Sequence, residues 1–172
     1  MARRPRTGHA ARVTAPPLPV RVEEYAGPHR DLLWSFREAE DSEALLDGYV
    51  DLGRVWVARD GDVVVGHLQA VPRDDGATWE VTNTAVVEAA RGRGVGRLLL
   101  EQAVAVARAA GATRVVLATG AADVGNLRFY QRCGFRMTRI VPDAFGPDTG
   151  YPDPIWVDGI LLRDQVWFER VL

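Results

Sequence analysis

Lysine is absent from this 172-residue chain: all 21 of its basic residues are arginine. Without an ε-amino group there can be no Walker phosphate loop, no Schiff base and no pyridoxal phosphate anchor. Cysteine occurs once, as Cys133, so no internal disulfide can form, and a reducing cytoplasm is the compartment expected. With a single Cys and with His9, His29 and His67 at no ligand spacing, no metal site is expected. Serine occurs only at 35 and 42, neither in a nucleophile elbow. No apolar run approaches the roughly 18 residues of a membrane span. The N-terminus has arginines but no apolar segment of a secretory signal behind them. No membrane partner is expected.

The charge is uneven. Residues 1–21 hold five Arg and no acid, whereas residues 22–172 hold 16 Arg against 23 acids, a formal charge of −7. Residues 1–19 mix Arg, Pro and Ala without periodicity and read as a disordered basic tail. The acidic remainder, 20–172, reads as one domain, better suited to a cationic partner than to nucleic acid. The sequence leaves monomer and homodimer equally open.

Hydrophobic periodicity orders the domain. Val20–Tyr25 reads as a strand, Asp31–Glu38 and Ser42–Leu52 as helices, and Val55–Arg59, Val63–Val71 and Thr78–Val87 as three strands. A helix over Arg97–Ala110 should bury Val95, Leu98, Leu99, Ala103 and Val106. Arg114–Ala118, Phe135–Arg139 and Asp164–Val171 read as strands, and Asn126–Arg132 as a short helix. The order β-α-α-β-β-β-α-β-α-β-loop-β means a mixed α/β fold (α+β by some schemes) with helices on both faces of the sheet.

Between the fourth strand and the third helix stands RGRGVG, Arg91–Gly96. Glycines 92, 94 and 96 let backbone N–H groups approach a ligand. The following helix offers its positive end, and Arg91, Arg93 and Arg97 add charge for phosphates. A diphosphate site is the functional reading; a glycine-rich helix start that binds nothing is the other. The Rossmann spacing fails, because its third glycine would fall at Arg97.

The pattern Arg91-x-x-Gly94-x-Gly96, after an apolar strand and before an amphipathic helix, resembles the acetyl-CoA loop of the GNAT acetyltransferase superfamily. A second stretch, Asn126-Leu-Arg-Phe-Tyr130-Gln-Arg-Cys-Gly134-Phe135, resembles that family's later signature, and the two begin 35 residues apart. The resemblance covers about residues 20–172. It implies a single domain with a mostly antiparallel seven-stranded sheet, splayed between strands 4 and 5. It also implies acetyl-CoA as cosubstrate, held by Arg91, Gly92, Arg93, Gly94, Val95, Gly96 and Arg97, with backbone near Ala85, Val86 and Val87 pairing with the pantetheine arm. Asn126 is expected to bond the cofactor arm or cap its helix.

Acetylating an amine requires removing its proton and protonating or stabilising a departing thiolate. By resemblance, Glu80 is the candidate general base and Tyr130 the candidate general acid. Strict alternation along WEVTNTAV would put Glu80, Thr82, Thr84 and Val86 on one face. The alternatives are a strand carboxylate that is solvated or paired with an Arg, and a Tyr that packs its helix on the sheet. Cys133 reads as a small buried residue rather than an acyl carrier. Residues 142–163, rich in Pro and Gly, read as an ordered loop walling the acceptor pocket. Its Asp143, Asp148, Asp153 and Asp158 would favour a cationic amine, and an exposed crossing without substrate contact is the other reading. The expectation is an N-acetyltransferase acting on a small primary amine or a protein N-terminus by direct attack. The alternative is an acyl-CoA-binding regulatory module of the same fold without transfer activity, which the presence of both Glu80 and Tyr130 argues against.

Overall fold

The computed structural model describes residues 19–172. The basic tail read over residues 1–19 lies, except for Pro19, outside the described residues. Strand β1 (Arg21–Glu24) leads through a 3-10 turn into α1 (Leu33–Phe36) and α2 (Glu43–Tyr49). Then come β2 (Arg54–Asp60), β3 (Val63–Pro72), β4 (Thr78–Val86), α3 (Val95–Ala109), β5 (Arg114–Gly120), α4 (Val124–Arg132) and β6 (Arg136–Val141). A small ribbon, β7 (Trp156–Val157) with β8 (Ile160–Leu161), stands inside the long segment before the closing strand β9 (Gln165–Val171).

The main sheet has seven strands in the order β1-β2-β3-β4-β5-β9-β6. Every neighbouring pair is antiparallel except β4–β5. The closing strand therefore inserts between β5 and β6, a placement no local pattern announced. Alternation along β2 splits the core: Trp56 and Ala58 pack on the α3 side, Val55 and Val57 on the α1–α2 side.

The helices differ from expectation in detail. Ser42 caps α2, its hydroxyl accepting from Leu45 N–H. On α3 the buried stripe is Val95, Leu99, Leu100, Ala103, Val104 and Ala107, while Leu98 is 47% exposed. The buried residues follow i, i+4 spacing (95, 99, 103, 107 and 100, 104), so Leu100 and Val104 take the places expected for Leu98 and Val106.

Two features of β4 shape the site. It pairs with β5 only from Thr78↔Arg114 to Val81↔Leu117, after which the two strands part while β5 stays bonded to β9 through Gly120. The expected splay between the fourth and fifth strands is therefore present. The second feature is a bulge: Ala70 faces Val81 but Gln69 faces Asn83, leaving Thr82 as an extra residue. This corrects the alternation read from the sequence. Thr82 and Asn83, successive residues, both turn toward α1 and α2, bonding Gln69 Oε1 and Tyr49. Beyond the bulge, Thr84 and Val86 lie on the opposite face from Glu80.

Candidate active site

The wedge begins where β4 leaves β5, and its β4 wall is made of backbone. Val87 N–H donates to the Val65 carbonyl at 3.0 Å, so the Gly66–Val86 pair is a non-hydrogen-bonded one. Thr84 and Val86 therefore point their peptide groups away from β3 into the wedge, whereas Ala85 and Val87 point theirs at β3. Of the three residues expected to pair with an extended ligand, Val86 turns its peptide group into the wedge, while Ala85 and Val87 turn theirs to β3. Thr84, which the sequence reading did not name, presents its peptide group to the wedge beside that of Val86. Strand parity is the physical reason, and it becomes readable only once the β3–β4 register is known.

At the wide end of the wedge lies the glycine-rich loop. Gly92 and Gly94 hold φ of +75° and +84°, and a Cβ built on either meets no atom within 4 Å. Their glycine requirement is conformational, and the space above them is open. Gly94 is the N-cap of α3 and no side chain caps this helix. The N–H groups of Val95, Gly96 and Arg97 are left to a ligand or solvent, at the positive end of a 15-residue helix. Gly96 has another reason: a Cβ there would meet the Phe129 ring at 3.2 Å, so its smallness lets α4 approach α3. The arginines tie the loop down. Arg91 Nε donates to the Val86 carbonyl (3.0 Å), Arg93 pairs with Asp60 (2.7 Å), and Arg97 reaches the Arg132 carbonyl (3.2 Å). The whole is an anion cradle continuous with an exposed strand edge, and it fits a long diphosphate-bearing ligand.

On the opposite wall α4 follows β5. Its cap is Asp123, whose carboxylate accepts the Asn126 N–H at 2.8 Å. This corrects the capping role considered for Asn126, because the helix starts two residues earlier than its pattern suggested. The Asn126 side chain instead reaches Thr119 Oγ1 on the free edge of β5, at 3.5 Å. Tyr130 is 5% exposed and sits among Phe129, Phe135 and Phe168. Burial pushes its phenol well above the usual tyrosine range, so it keeps its proton. The ring of Tyr130 is part of the core, as the packing alternative had it. Cys133 is buried, and burial raises its thiol too.

Glu80 stands one residue before the point of parting, its side chain 14% exposed and ion-paired with Arg73. It lines a pocket of about 300 Å³ with Tyr49, Leu52, Val71, Arg73 and Thr82. The carboxylate is thus paired with an Arg, as one sequence alternative had it, and it also faces a cavity.

The long segment is ordered: Leu162 packs over Gly120, whose Cβ would come within 2.4 Å of it, and Phe145 stacks near Tyr151. Its acids are not gathered at one site. Asp158 (φ +49°) and Gly159 (φ +79°) form the tight turn of the β7–β8 ribbon. Asp143, at φ +52°, makes no ion pair among the described residues, and its N–H donates to Asp164. Asp148 and Asp153 face solvent. Across the fold the segment also reaches Glu40, in the α1–α2 connection, whose carboxylate accepts from the Tyr151 hydroxyl at 3.0 Å. Among the described residues, no group of three or more His, Cys, Asp or Glu is placed to hold a metal ion, and no helix is long and apolar enough to cross a membrane.

Comparison with known proteins agrees with this geometry. The Acetyltransferase (GNAT) family profile matches residues 22–135. The uncharacterised N-acetyltransferase YvbK of Bacillus subtilis (strain 168) is 32% identical over 128 residues, 74% of this chain and 81% of its own length. The IAA acetyltransferase from Bacillus cereus ATCC 14579 is similar in structure, with a TM-score of 0.82 at 32% identity, over 90% of this chain and 100% of that one. A GNAT family acetyltransferase from Elizabethkingia anophelis, solved with acetyl-CoA bound, has a TM-score of 0.82 at 28% identity, over 89% of this chain and 98% of its own.

Proposed function

The chain belongs to the GNAT acetyltransferase family, and from that premise we propose which residues transfer the acetyl group and what kind of acceptor receives it. It is an acyl-CoA N-acyltransferase with acetyl-CoA as cosubstrate. The observation that carries the site reading is the wedge: an exposed β4 edge at Thr84 and Val86 running into the uncapped N-terminus of α3. The pyrophosphate would rest on the N–H groups of residues 92–97, with Arg91, Arg93 and Arg97 around it. The pantetheine arm would pair with the Thr84 and Val86 peptides, and Asn126 would face it from α4. Bound there, acetyl-CoA supplies an activated thioester.

The acceptor is a primary amine of a small molecule or of a protein N-terminus, and it attacks directly. Its nitrogen bonds to the acetyl carbonyl carbon, the C–S bond breaks, and the surplus amine proton leaves through Glu80. That assignment draws on the position of Glu80 at the apex of the wedge and on the cavity it faces. The Arg73 pairing must open for Glu80 to take a proton. Tyr130, holding its proton, donates a hydrogen bond and then the proton to the departing sulfur. Direct attack suits the buried, raised thiol of Cys133, a poor nucleophile. A cationic acceptor suits the acidic body of the chain.

Release of the free CoA thiol across a panel of amines, with Glu80→Gln and Tyr130→Phe in parallel, tests the reading. A fall in kcat of roughly 10²–10⁴-fold in each variant is the expected result for acid–base groups. Turnover unaffected in Glu80→Gln would transfer the base role to a water chain.

A further inference from the structure

Where β3 turns into β4, Arg73 and Glu80 meet across the hairpin. The backbone of Arg73 is fixed there: its N–H donates to the Thr78 carbonyl (2.8 Å), and its carbonyl accepts the Gly76 N–H (3.1 Å). Its side chain is half exposed, and Glu80 is its one ion-pair partner among the described residues. The other arginine at this corner, Arg114, is engaged by Thr78, Asp75 and Glu169. Of the ion pairs among the described residues, Arg73–Glu80 has the most buried carboxylate. Glu80 is 14% exposed, whereas the others range from 28% to 64%.

Both side chains line the cavity of about 300 Å³. Among the described residues, Arg73 is the one cation in its wall and Glu80 the one anion. The rest of the wall offers little to a polar ligand. Leu52 and Val71 are apolar, the Thr82 hydroxyl donates to Gln69 Oε1, and the Tyr49 hydroxyl accepts from Asn83. An acceptor amine that reaches Glu80 must take the place of the guanidinium. Stripping a mostly buried carboxylate of its cation is costly unless both charges find new partners. The amine can donate to Glu80, and Arg73 then needs an anion from the same molecule. A guanidinium fork fits a carboxylate through two parallel bonds, and a single cation matches its single charge better than a phosphate dianion.

Because Arg73 and Glu80 touch, the two groups that separate them must be neighbours in the acceptor, as the amine and carboxylate of an α-amino acid are. The apolar walls suit an apolar side chain. We propose that Arg73 binds the carboxylate of the acceptor, an apolar α-amino acid, and in doing so frees Glu80 to receive the amine. The inference rests on the acetyl-transfer reading above for the role of Glu80. A carboxylate that loses its cation takes up a proton more readily, so the acceptor itself turns the ion pair into a base. The amino group supplies the cationic character suited to the acidic body, and the carboxylate is the added requirement. A protein N-terminus lacks that carboxylate.

The test is thiol release from acetyl-CoA with alanine, valine, leucine, methionine and phenylalanine, each against its own α-amide. The amides lose their amine proton at lower pH, so intrinsic reactivity favours them, and a preference for the acid reports recognition. The expected result is that kcat/KM for at least one amino acid exceeds that for its amide tenfold or more. Arg73→Gln should abolish this preference, and Arg73→Lys, which keeps the charge without the fork, should restore part of it. CoA binding by each variant reports an intact fold. Amides used as well as the acids, or a preference that survives Arg73→Gln with both substrates falling together, overturns the inference. Where no thiol is released, calorimetric titration of the protein–CoA complex with the same amino acids decides. Binding that is lost in Arg73→Gln leaves the subsite standing and refutes the transfer reading, whereas no binding overturns the inference.

Discussion

His67 shows how surroundings set the chemistry of one residue. Wholly buried on β3 against Phe36, it is held neutral by desolvation, with its pKa lowered to about 4, while Ser35 occupies Nδ1. Its folded pKa lies below its unfolded value, so the folded state binds fewer protons between them. The stabilisation is complete above about pH 6.5, declines as the pH falls below that, and has vanished near pH 4. Urea unfolding at pH 7 and pH 5 should show a loss of up to about 2 kcal/mol across this window, and His67→Gln should flatten that slope. The glycines of the loop make a second case at this scale. Gly94→Ala forces a Cβ into the left-handed region at a cost of about 1–2 kcal/mol and should raise the acetyl-CoA KM. Gly96→Ala pushes instead on Phe129 and should be felt in thermal stability through the α3–α4 contact. Steady-state kinetics beside thermal melts of the two variants separates the effects.

Among the elements, β4 does most to build the site. Its bulge sends Thr82 and Asn83 to one side and returns Thr84 and Val86 to the other, so one strand lines both the wedge and the pocket of Glu80. Deleting Thr82 would restore simple alternation with Asn83 still opposite Gln69, and would remove the hydroxyl on Gln69 Oε1 and one wall of the Glu80 pocket. We expect activity to be lost with the chain still folded, checked by thiol release alongside circular dichroism. The long segment is the second such element. Because Asp153 faces solvent and Asp158 serves a turn that Asn also tolerates, the Asp153→Asn, Asp158→Asn double variant should change the acceptor KM less than twofold. A large rise would return the acceptor's charge recognition to these aspartates.

At the scale of the whole molecule, ligand binding and folding are coupled, because the wedge exists only when both halves of the sheet are assembled. Acetyl-CoA at about a hundred times its Kd should add about 2.7 kcal/mol, raising the melting temperature by roughly 5–10 °C. An unmoved melting temperature would contradict the assignment of the wedge and the α3 terminus to this ligand.

Much of this molecule was legible in its residues. The seven main strands, the α2 cap at Ser42, the glycine loop between β4 and α3, and the order of the two motifs follow from local rules: strand alternation, helix periodicity and the backbone freedom of glycine. These concern neighbours in the chain, so the sequence alone determined them, and with them the family and its cosubstrate. The tertiary structure decided the rest. Inserting β9 between β5 and β6, facing Thr84 rather than Ala85 into the wedge, pairing Arg73 with Glu80, and bringing Tyr151 to Glu40 all depend on which distant edges meet and in what register. A one-residue shift in register exchanges the faces of a strand, and that information lies in the packing of both partners rather than in either segment.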